Sequence, residues 1–384
     1  MGLGLNVWGR QRAGVVEPVL RGAIMTGSST RLVGVFAVAV AMAAATAVVV
    51  SQSFAAAIVG ETRMVAVAKS ADASVDALRA EYRRPNFIPF PKDNPYTAEK
   101  AALGKKLYFD TRLSAANLLS CASCHNPGYG WGDGQPTGVG HQMKILARRS
   151  PTIVNAAYGQ VFMWDGRAGS LEEQALGPIQ AEVEMALPLD ELLKRLKHIG
   201  EYKPLFDAAF PGKGISGETI AKAIATYERT VVSARAPFDA WIEGDEKAIS
   251  DGAKRGFMLF NTKAECNKCH SGWNFTDDSF HDIGLKSTDI GRGKFLDGIP
   301  KAQHAFKTPG LREITRRGPY MHNGSIVTLD EVMEHYNHAG VERESRSDLI
   351  RPLGLSRQEL ADLVEFMKTL TSDFDPTTVP VMPR

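Results

Sequence analysis

The sequence predicts a mainly α-helical protein that consists of two similar domains. Apolar residues recur at helical spacing in 187–197, 220–232 and 253–260, whereas the strict alternation typical of strands is hard to find. The motif Cys-x-x-Cys-His occurs twice, at 121–125 and 266–270, and it contains all 4 cysteines of the chain. Two copies of one motif, each preceded by a helical pattern, indicate two helical domains that carry long loops.

The repeated motif is the attachment signature of c-type haem. Two thiols one helical turn apart can add to the two vinyl groups of one porphyrin, and the adjacent imidazole then reaches the iron. A zinc site would need four ligands in one place, but these pairs are distant in sequence and each has its own histidine. We therefore predict two covalently bound haem c groups in two cytochrome c-like haem domains. The predicted attachment residues are Cys121, Cys124, His125, Cys266, Cys269 and His270, and the two histidines are the predicted iron ligands.

Length and composition are those of a soluble protein with two or three domains. The chain has 384 residues, of which 44% are hydrophobic and 23% are charged, which is ordinary for a globular protein. The net charge of +2 gives no reason to expect a nucleic-acid partner or a polybasic membrane surface.

Residues 1–57 have the features of an export signal. Several arginines precede the apolar run 32–50, and small residues follow it at 53–57, which is the order of a secretory signal peptide. The run is also long enough to span a bilayer, so an uncleaved inner-membrane anchor is the alternative. Both interpretations place the following chain in the periplasm, where c-type haem is attached. Residues 58–96 contain several prolines and are predicted to be a linker.

Several residues after the first motif are candidates for a reaction site. The glycine-rich loop 128–134 can bring backbone close to a porphyrin. His141 follows in a flexible loop, where it is either a distal iron ligand or a surface histidine. Trp164, Gln174 and Glu184 come next. Taken singly, Trp164 is better interpreted as a core aromatic residue, and either of the other two could be a solvated surface residue.

Together these motifs resemble the bacterial di-haem cytochrome c peroxidase family, which includes the MauG-type enzymes. The resemblance covers roughly 97–371. It implies an N-terminal peroxidatic haem domain at 97–235 and a C-terminal electron-transfer haem domain at 236–384. The motifs that carry it are the two Cys-x-x-Cys-His sequences, Gly140-His141, Ser150-Pro-Thr, Trp164-Asp-Gly-Arg-Ala, Gly177-Pro and Val-Glu184-Met.

The resemblance implies a role for each candidate. His125 matches the proximal ligand of the first iron, and His141 matches its removable distal ligand. Glu184 matches the carboxylate that moves peroxide protons, which is work that a positioned acid–base group can do. Gln174 matches its polar neighbour, and Trp164 matches the tryptophan between the haems.

The second ligand of the second iron separates two subclasses of the family. The peroxidases have a methionine fourteen residues after the histidine of Pro-Tyr-x-His, whereas MauG-type enzymes have a tyrosine. Counting from His322 leads to Tyr336, and Met333 on the same helical face is the alternative. Axial ligands change the haem potential over about 0.8 V. A thioether raises the potential, whereas a phenolate favours Fe(III) and higher states.

Other residues differ from those expected in MauG-type enzymes, and one differs from those expected in the whole family. His141 is retained, although a MauG-type enzyme needs an open first iron. Residues 263–265 stand where MauG-type enzymes carry an exposed tryptophan relay, and Trp273 just after the motif replaces it only by conjecture. Arg149 stands where the family usually has an asparagine that binds calcium. Because a cation cannot be an oxygen ligand for a hard metal, calcium is doubtful, and Arg149 can instead supply its own positive charge.

The sequence therefore predicts, first, a periplasmic di-haem c peroxidase. It would reduce hydrogen peroxide to water with electrons from a small cytochrome c or cupredoxin. The alternative is a MauG-like enzyme that oxidises side chains of a partner protein through a high-valent iron state. A non-catalytic di-haem electron carrier is less favoured, because a carrier needs no acid–base group such as Glu184. Whether the chain forms a homodimer is left open.

Overall fold

The computed structural model describes residues 75–373 and 377–384, which are mainly helical as predicted. The predicted export signal and residues 58–74 of the predicted linker lie outside the described residues. Within the described ranges, no helix is long and apolar enough to cross a membrane. The helices are α1 (described at 75–81), α2 (Ala98–Phe109), α3 (Cys121–Cys124), α4 (Leu171–Gln180), α5 (Leu189–His198), α6 (Tyr202–Ala209), α7 (Gly217–Thr230), α8 (Pro237–Ile242), α9 (Asp251–Asn261), α10 (Leu329–His338) and α11 (Arg357–Lys368).

Two short strands form the one sheet of the described residues. Strand β1 (Phe280–His281) pairs antiparallel with β2 (Phe306–Lys307), with Phe280 opposite Lys307. The connection between them folds back on itself, so that Gly291 bridges to Ala305. The sheet therefore closes one loop of the second half, and the rest of the described fold is built from helices.

The first half packs its helices around one apolar core. Helices α2 and α7 lie in close contact because Gly104 has no side chain: a Cβ there would come within 1.9 Å of the Ala223 carbonyl oxygen. Helix α2 begins at Thr97, whose side chain accepts a hydrogen bond from the Lys100 N–H. Buried members of this core include Leu103, Leu107, Tyr108, Ile179, Leu192, Leu196, Tyr202, Phe206, Ile220 and Ile224.

The second half has a separate core that is rich in aromatic rings. Helices α9 and α11 approach closely at Gly256, where a Cβ would lie 2.0 Å from the Asp362 carbonyl oxygen. Helix α11 starts with a capping box between Ser356 and Glu359. The buried rings of this core are Tyr82, Phe238, Trp241, Phe257, Phe260, Phe275 and Phe366.

The described end of the predicted linker, 75–96, packs against both cores. Tyr82 is fully buried in the second core and donates a hydrogen bond to Asn261 Oδ1 at 2.7 Å. Asn94 is fully buried against the first half, where its side chain donates to the Lys222 carbonyl at 3.0 Å. This segment therefore ties the two halves together. The domain limits themselves stay a prediction.

Replacing Tyr82 with alanine should destabilise the second half. Loss of a buried aromatic side chain costs about 3–5 kcal/mol of the free energy of unfolding, so the thermal unfolding midpoint of the holoprotein should fall. Phe87, which is 65% exposed in the same segment, provides the control, since Phe87→Ala should leave the midpoint nearly unchanged. Equal midpoints for Tyr82→Ala and wild type would show that the segment contributes nothing to the second core.

Candidate functional site

The first motif forms a single helical turn that ends in the predicted iron ligand. Helix α3 is Cys121–Cys124, and the His125 N–H closes the turn on the Cys121 carbonyl at 2.9 Å. The His125 Nδ1 atom bonds to the Pro151 carbonyl at 2.8 Å. A backbone carbonyl on one ring nitrogen is the arrangement that orients metal-binding histidines and leaves Nε2 for the metal.

The second motif repeats this arrangement in a tighter turn. Cys266–Lys268 is a 3-10 turn, and the His270 N–H bonds to the Cys266 carbonyl at 2.9 Å. The His270 Nδ1 atom bonds to the Phe275 carbonyl, also at 2.9 Å. None of the four cysteines is paired in a disulfide. Both sites therefore offer two thiols and one oriented imidazole, which is the donor set that haem c requires.

The structure brings Glu184 and His141 together beside the first motif. The His141 N–H donates to the Glu184 carbonyl at 2.7 Å. The loop that carries His141 fits tightly there, because a Cβ at Gly140 would lie 2.0 Å from the Val183 carbonyl oxygen. Burial, followed by the charges of Asp133 and Glu184, raises the pKa of the Cys124 thiol to about 11. Glu184 thus lies close enough to the first motif for its charge to act on Cys124.

The carboxyl group of Glu184 lies in an environment that favours its protonated form. Burial raises its pKa, and the charge of Arg167 opposes that shift. A carboxyl whose pKa is raised towards neutrality can both accept and return a proton. Gln174, the predicted neighbour on α4, points its amide towards the Met163 sulfur at 3.9 Å. The roles of both residues stay predictions.

Trp164 lies between the two halves. Its indole Nε1 donates to the Arg149 carbonyl at 2.8 Å, and its own carbonyl accepts from the Lys307 N–H at 2.8 Å. One cavity is lined by Trp164 together with His125 of the first motif and His270 of the second. The position agrees with a residue that connects two sites.

Tyr336 and Met333 both line the cavity next to the second motif. They lie on α10, where a capping box at Thr328 starts the helix and Met333 is 7% exposed. Burial, and then the charges of Cys269 and Cys266, raise the pKa of the Tyr336 phenol. The predicted helical face is confirmed, since Leu329, Val332 and Met333 are buried. The choice of Tyr336 over Met333 as ligand stays a prediction.

A ring stack that reaches Trp164 was not predicted from the sequence. Phe306 and His322 are stacked with centroids 3.6 Å apart and planes at 11°, and His322 meets Trp164 edge to face at 6.4 Å. Burial lowers the pKa of His322 to about 4, so this imidazole is neutral at neutral pH. The Pro-Tyr-Met-His sequence marks His322, but no local pattern indicates that Phe306 would stack on it.

The buried carboxyl group of Glu228 was also not identified from the sequence. Glu228 on α7 is 5% exposed, and within the described ranges its Oε2 atom has no hydrogen-bond partner. Burial raises its pKa to about 8, so it is mainly protonated at neutral pH. In sequence it looks like an ordinary polar position of an amphipathic helix.

The conjectured relay residue Trp273 lies beside one aromatic ring and two arginines. It packs against Tyr158 at 4.7 Å between ring centroids. The guanidinium carbons of Arg84 and Arg312 lie 5.3 Å and 5.8 Å from its ring centroid. Two nearby positive charges disfavour the loss of an electron from the indole, so the structure does not favour Trp273 as the replacement relay.

Comparison with known proteins agrees with this arrangement of two motifs. The family description "Di-haem cytochrome c peroxidase" matches residues 98–247, and "Cytochrome c" matches residues 253–371. The methylamine utilization protein MauG of Methylorubrum extorquens is 49% identical over 324 residues, which cover 83% of this chain and 92% of the relative. This chain belongs to the di-haem cytochrome c peroxidase family.

More distant members extend the likeness to the peroxidases and to solved structures. The cytochrome c551 peroxidase of Pseudomonas aeruginosa is 33% identical, over 82% of this chain and 90% of that protein. A crystal structure of a MauG-like protein associated with microbial copper homeostasis superposes with a TM-score of 0.70 at 30% identity, over 76% of this chain and 95% of the other. Membership of this family means that the protein carries two covalently bound haem c groups.

One further cluster of ligand-type atoms is explained by haem attachment. Cys269, Asp277 and His281 place one ligand atom each within 4.8 Å of one another. The Cys269 thiol becomes a thioether when haem is attached and no longer offers a thiolate to a metal. What is left is the pair of Asp277 and His281, joined at 2.8 Å, beside the second haem attachment.

Proposed function

We propose that the protein is a MauG-type enzyme, which uses hydrogen peroxide to oxidise side chains of a partner protein. The observation that carries this proposal is Tyr336, which lines the cavity beside Cys266 and Cys269 at the position where a peroxidase has methionine. The 49% identity to a MauG protein supports it. The order of the two leading functions is therefore the reverse of the one that the sequence suggested.

In this proposal the haems supply the redox chemistry, and side chains of the protein move protons and shorten the electron-transfer path. When bound, the two haems supply peroxide cleavage at one iron and storage of the oxidising equivalents across both. Glu184 takes a proton from one peroxide oxygen and returns it to the leaving oxygen, for which its raised pKa is suited. Gln174 is the polar neighbour that the resemblance implies for this site, and its amide faces the Met163 sulfur. Trp164, between the halves, shortens the path by which electrons cross.

Tyr336, as ligand of the second haem, would set its reduction potential and therefore which electron donors can reduce it. A buried phenolate donates charge to the metal and lowers its potential, whereas a thioether raises it. A site of low potential is a poor acceptor for electrons from ordinary small cytochromes. It is well suited to sharing an oxidising equivalent until a partner protein is bound.

A peroxidase is the second candidate, and His141 favours it. The loop of His141 is held on Glu184 by a backbone hydrogen bond, which suits a distal ligand that is released only after reduction. In this case the electron donor is a small cytochrome c or a cupredoxin. For either function we place the enzyme in the periplasm, as haem c attachment requires.

The two candidate functions predict different rates of peroxide consumption and different oxidation states of the haems after the reaction. Holoprotein mixed with hydrogen peroxide and a reduced small cytochrome c should turn over slowly. Electron paramagnetic resonance should then show an oxidised state that persists until a protein substrate is added. The first substrate to test is a protein of methylamine utilization, the process in the relative's name. Rapid turnover with the reduced cytochrome would contradict the MauG-type proposal and select the peroxidase.

Glu184→Gln should lower peroxide consumption by about 10²–10⁴-fold, the usual range for acid–base catalysis. Both haems should remain attached, as measured by the absorption spectrum of the purified protein. Glu182→Gln is the matched control, because Glu182 has a side chain 87% exposed and pairs with Lys144. Wild-type rates in Glu184→Gln would remove this carboxyl from the reaction.

Tyr336→Met should raise the midpoint potential of the second haem, and Tyr336→Phe should leave that haem without its second protein ligand. Spectroelectrochemistry measures the first change, and electron paramagnetic resonance measures the second. Met333→Leu conserves volume and should change neither signal. If instead Met333→Leu alters the second haem and both tyrosine variants do not, Met333 is the ligand.

A further inference from the structure

The backbone of Arg149 is fixed by both halves of the protein. Its N–H donates to the His322 carbonyl at 2.8 Å, and its carbonyl accepts the Trp164 indole N–H at 2.8 Å. Two residues later, the Pro151 carbonyl holds the ring of His125. The position of Arg149 is thus set by the same contacts that orient Trp164 and the first iron ligand.

The side chain of Arg149 fills the space between the halves. Its Nη2 atom makes a long hydrogen bond of 3.4 Å to the Gly318 carbonyl. On the other side, a Cβ at Gly132 would lie 3.4 Å from the same Nη2 atom. Arg149 is 7% exposed. Its guanidinium is therefore enclosed by the glycine-rich loop of the first half and the chain around Gly318 of the second.

The positive charge of the Arg149 guanidinium is partly balanced by the carboxylate of Asp133. Asp133, in the glycine-rich loop, has a buried Oδ2 atom without a hydrogen-bond partner among the described residues, and so does the Nε atom of Arg149. Burial lowers the pKa of Arg149, and the charge of Asp133 acts in the opposite direction. The Asp133 carboxylate is thus close enough to stabilise the cation without contacting it directly.

A second buried guanidinium lies at the same junction. Arg317 is 5% exposed. Burial, and then the charge of Arg149, lower its pKa to about 10, so both groups stay positively charged at neutral pH. The junction therefore holds two positive charges, with the carboxylate of Asp133 acting on Arg149 and that of Glu313 acting on Arg317.

Calcium does not fit this junction. Ca²⁺ takes six to eight oxygen ligands at about 2.3–2.6 Å. Here the Gly318 carbonyl already accepts from Arg149, and the guanidinium occupies the space that an ion would need. Two fixed positive charges also repel a divalent cation.

We propose that the guanidinium of Arg149 is the resident cation of this junction, so that the arrangement of the two haem sites does not depend on calcium. A guanidinium cannot dissociate or be chelated, and it stays charged at every relevant pH. The field that it exerts on Trp164 and on both haems is therefore constant, whatever the calcium concentration outside the cytoplasm. Arg149 is a positioning residue, because its side chain acts on the haems through charge.

The first test needs only the wild-type holoprotein. Isothermal titration with millimolar calcium should show no stoichiometric binding, and a calcium chelator should leave the electron paramagnetic resonance spectrum of both haems unchanged. Binding of one calcium per chain, or a haem signal that changes on chelation and recovers with calcium, would overturn the proposal. Neither readout depends on peroxide activity, so the result is independent of the proposed function.

Variants of Arg149 then separate charge from packing. Arg149→Gln removes the positive charge but keeps a long polar side chain, and it should shift the reduction equilibrium of at least one haem tenfold towards the oxidised form, about 59 mV for one electron. Arg149→Lys keeps the charge and should restore most of the wild-type potential. Arg149→Asn adds an oxygen donor and removes the competing cation, so calcium should now bind in the millimolar range or tighter.

Two results from these variants would count against the charge role. Equal potentials in Arg149→Gln and wild type would show that the guanidinium exerts no field on the haems. Equal shifts in the Gln and Lys variants would show that only packing matters. If the neutral variants fail to fold, the wild-type calcium titration and the chelation experiment still decide whether the junction depends on calcium.

Discussion

The hydrogen bond from His125 to the Pro151 carbonyl is the contact on which the rest of the site depends. It orients the first imidazole and draws the segment 149–151 against the first motif. The same segment holds Trp164 through the Arg149 carbonyl and reaches His322 through the Arg149 N–H. One short stretch of extended backbone therefore sets the ligand of one iron, the indole between the halves and the contact with the second half.

The two haem sites share a motif but differ in their surroundings. The first lies next to Glu184, a carboxyl group with a raised pKa, and next to the loop of His141, whose N–H is bonded to the Glu184 carbonyl. The second is enclosed by α10, α11 and the aromatic core, with Tyr336 on the cavity wall. Under the proposed function the first haem has to admit peroxide and the second has to hold charge, and these two tasks call for the different surroundings described here.

The sequence predicted what depends on local pattern. Helical periodicity gave the class of the fold, the motif spacing gave the haem attachment sites, and the face of α10 placed Tyr336 on the same cavity as Cys266. Contacts between distant segments could not be predicted. The stack of Phe306 on His322 and the burial of Tyr82 in the second core join residues that no periodicity connects. Glu228 was missed because the burial of a polar helix position depends on what packs over it.

The contact of the segment 75–96 with both cores has a consequence for the order of folding. Tyr82 is synthesised early, yet the rings that enclose it come from residues between Phe238 and Phe366. The second core therefore cannot close until nearly the whole chain has emerged, and a contact of this sequence separation forms slowly. The thiols of both motifs are already synthesised by then. Because Cys266 packs against this core, the second motif stays accessible for haem attachment until Tyr82 is enclosed.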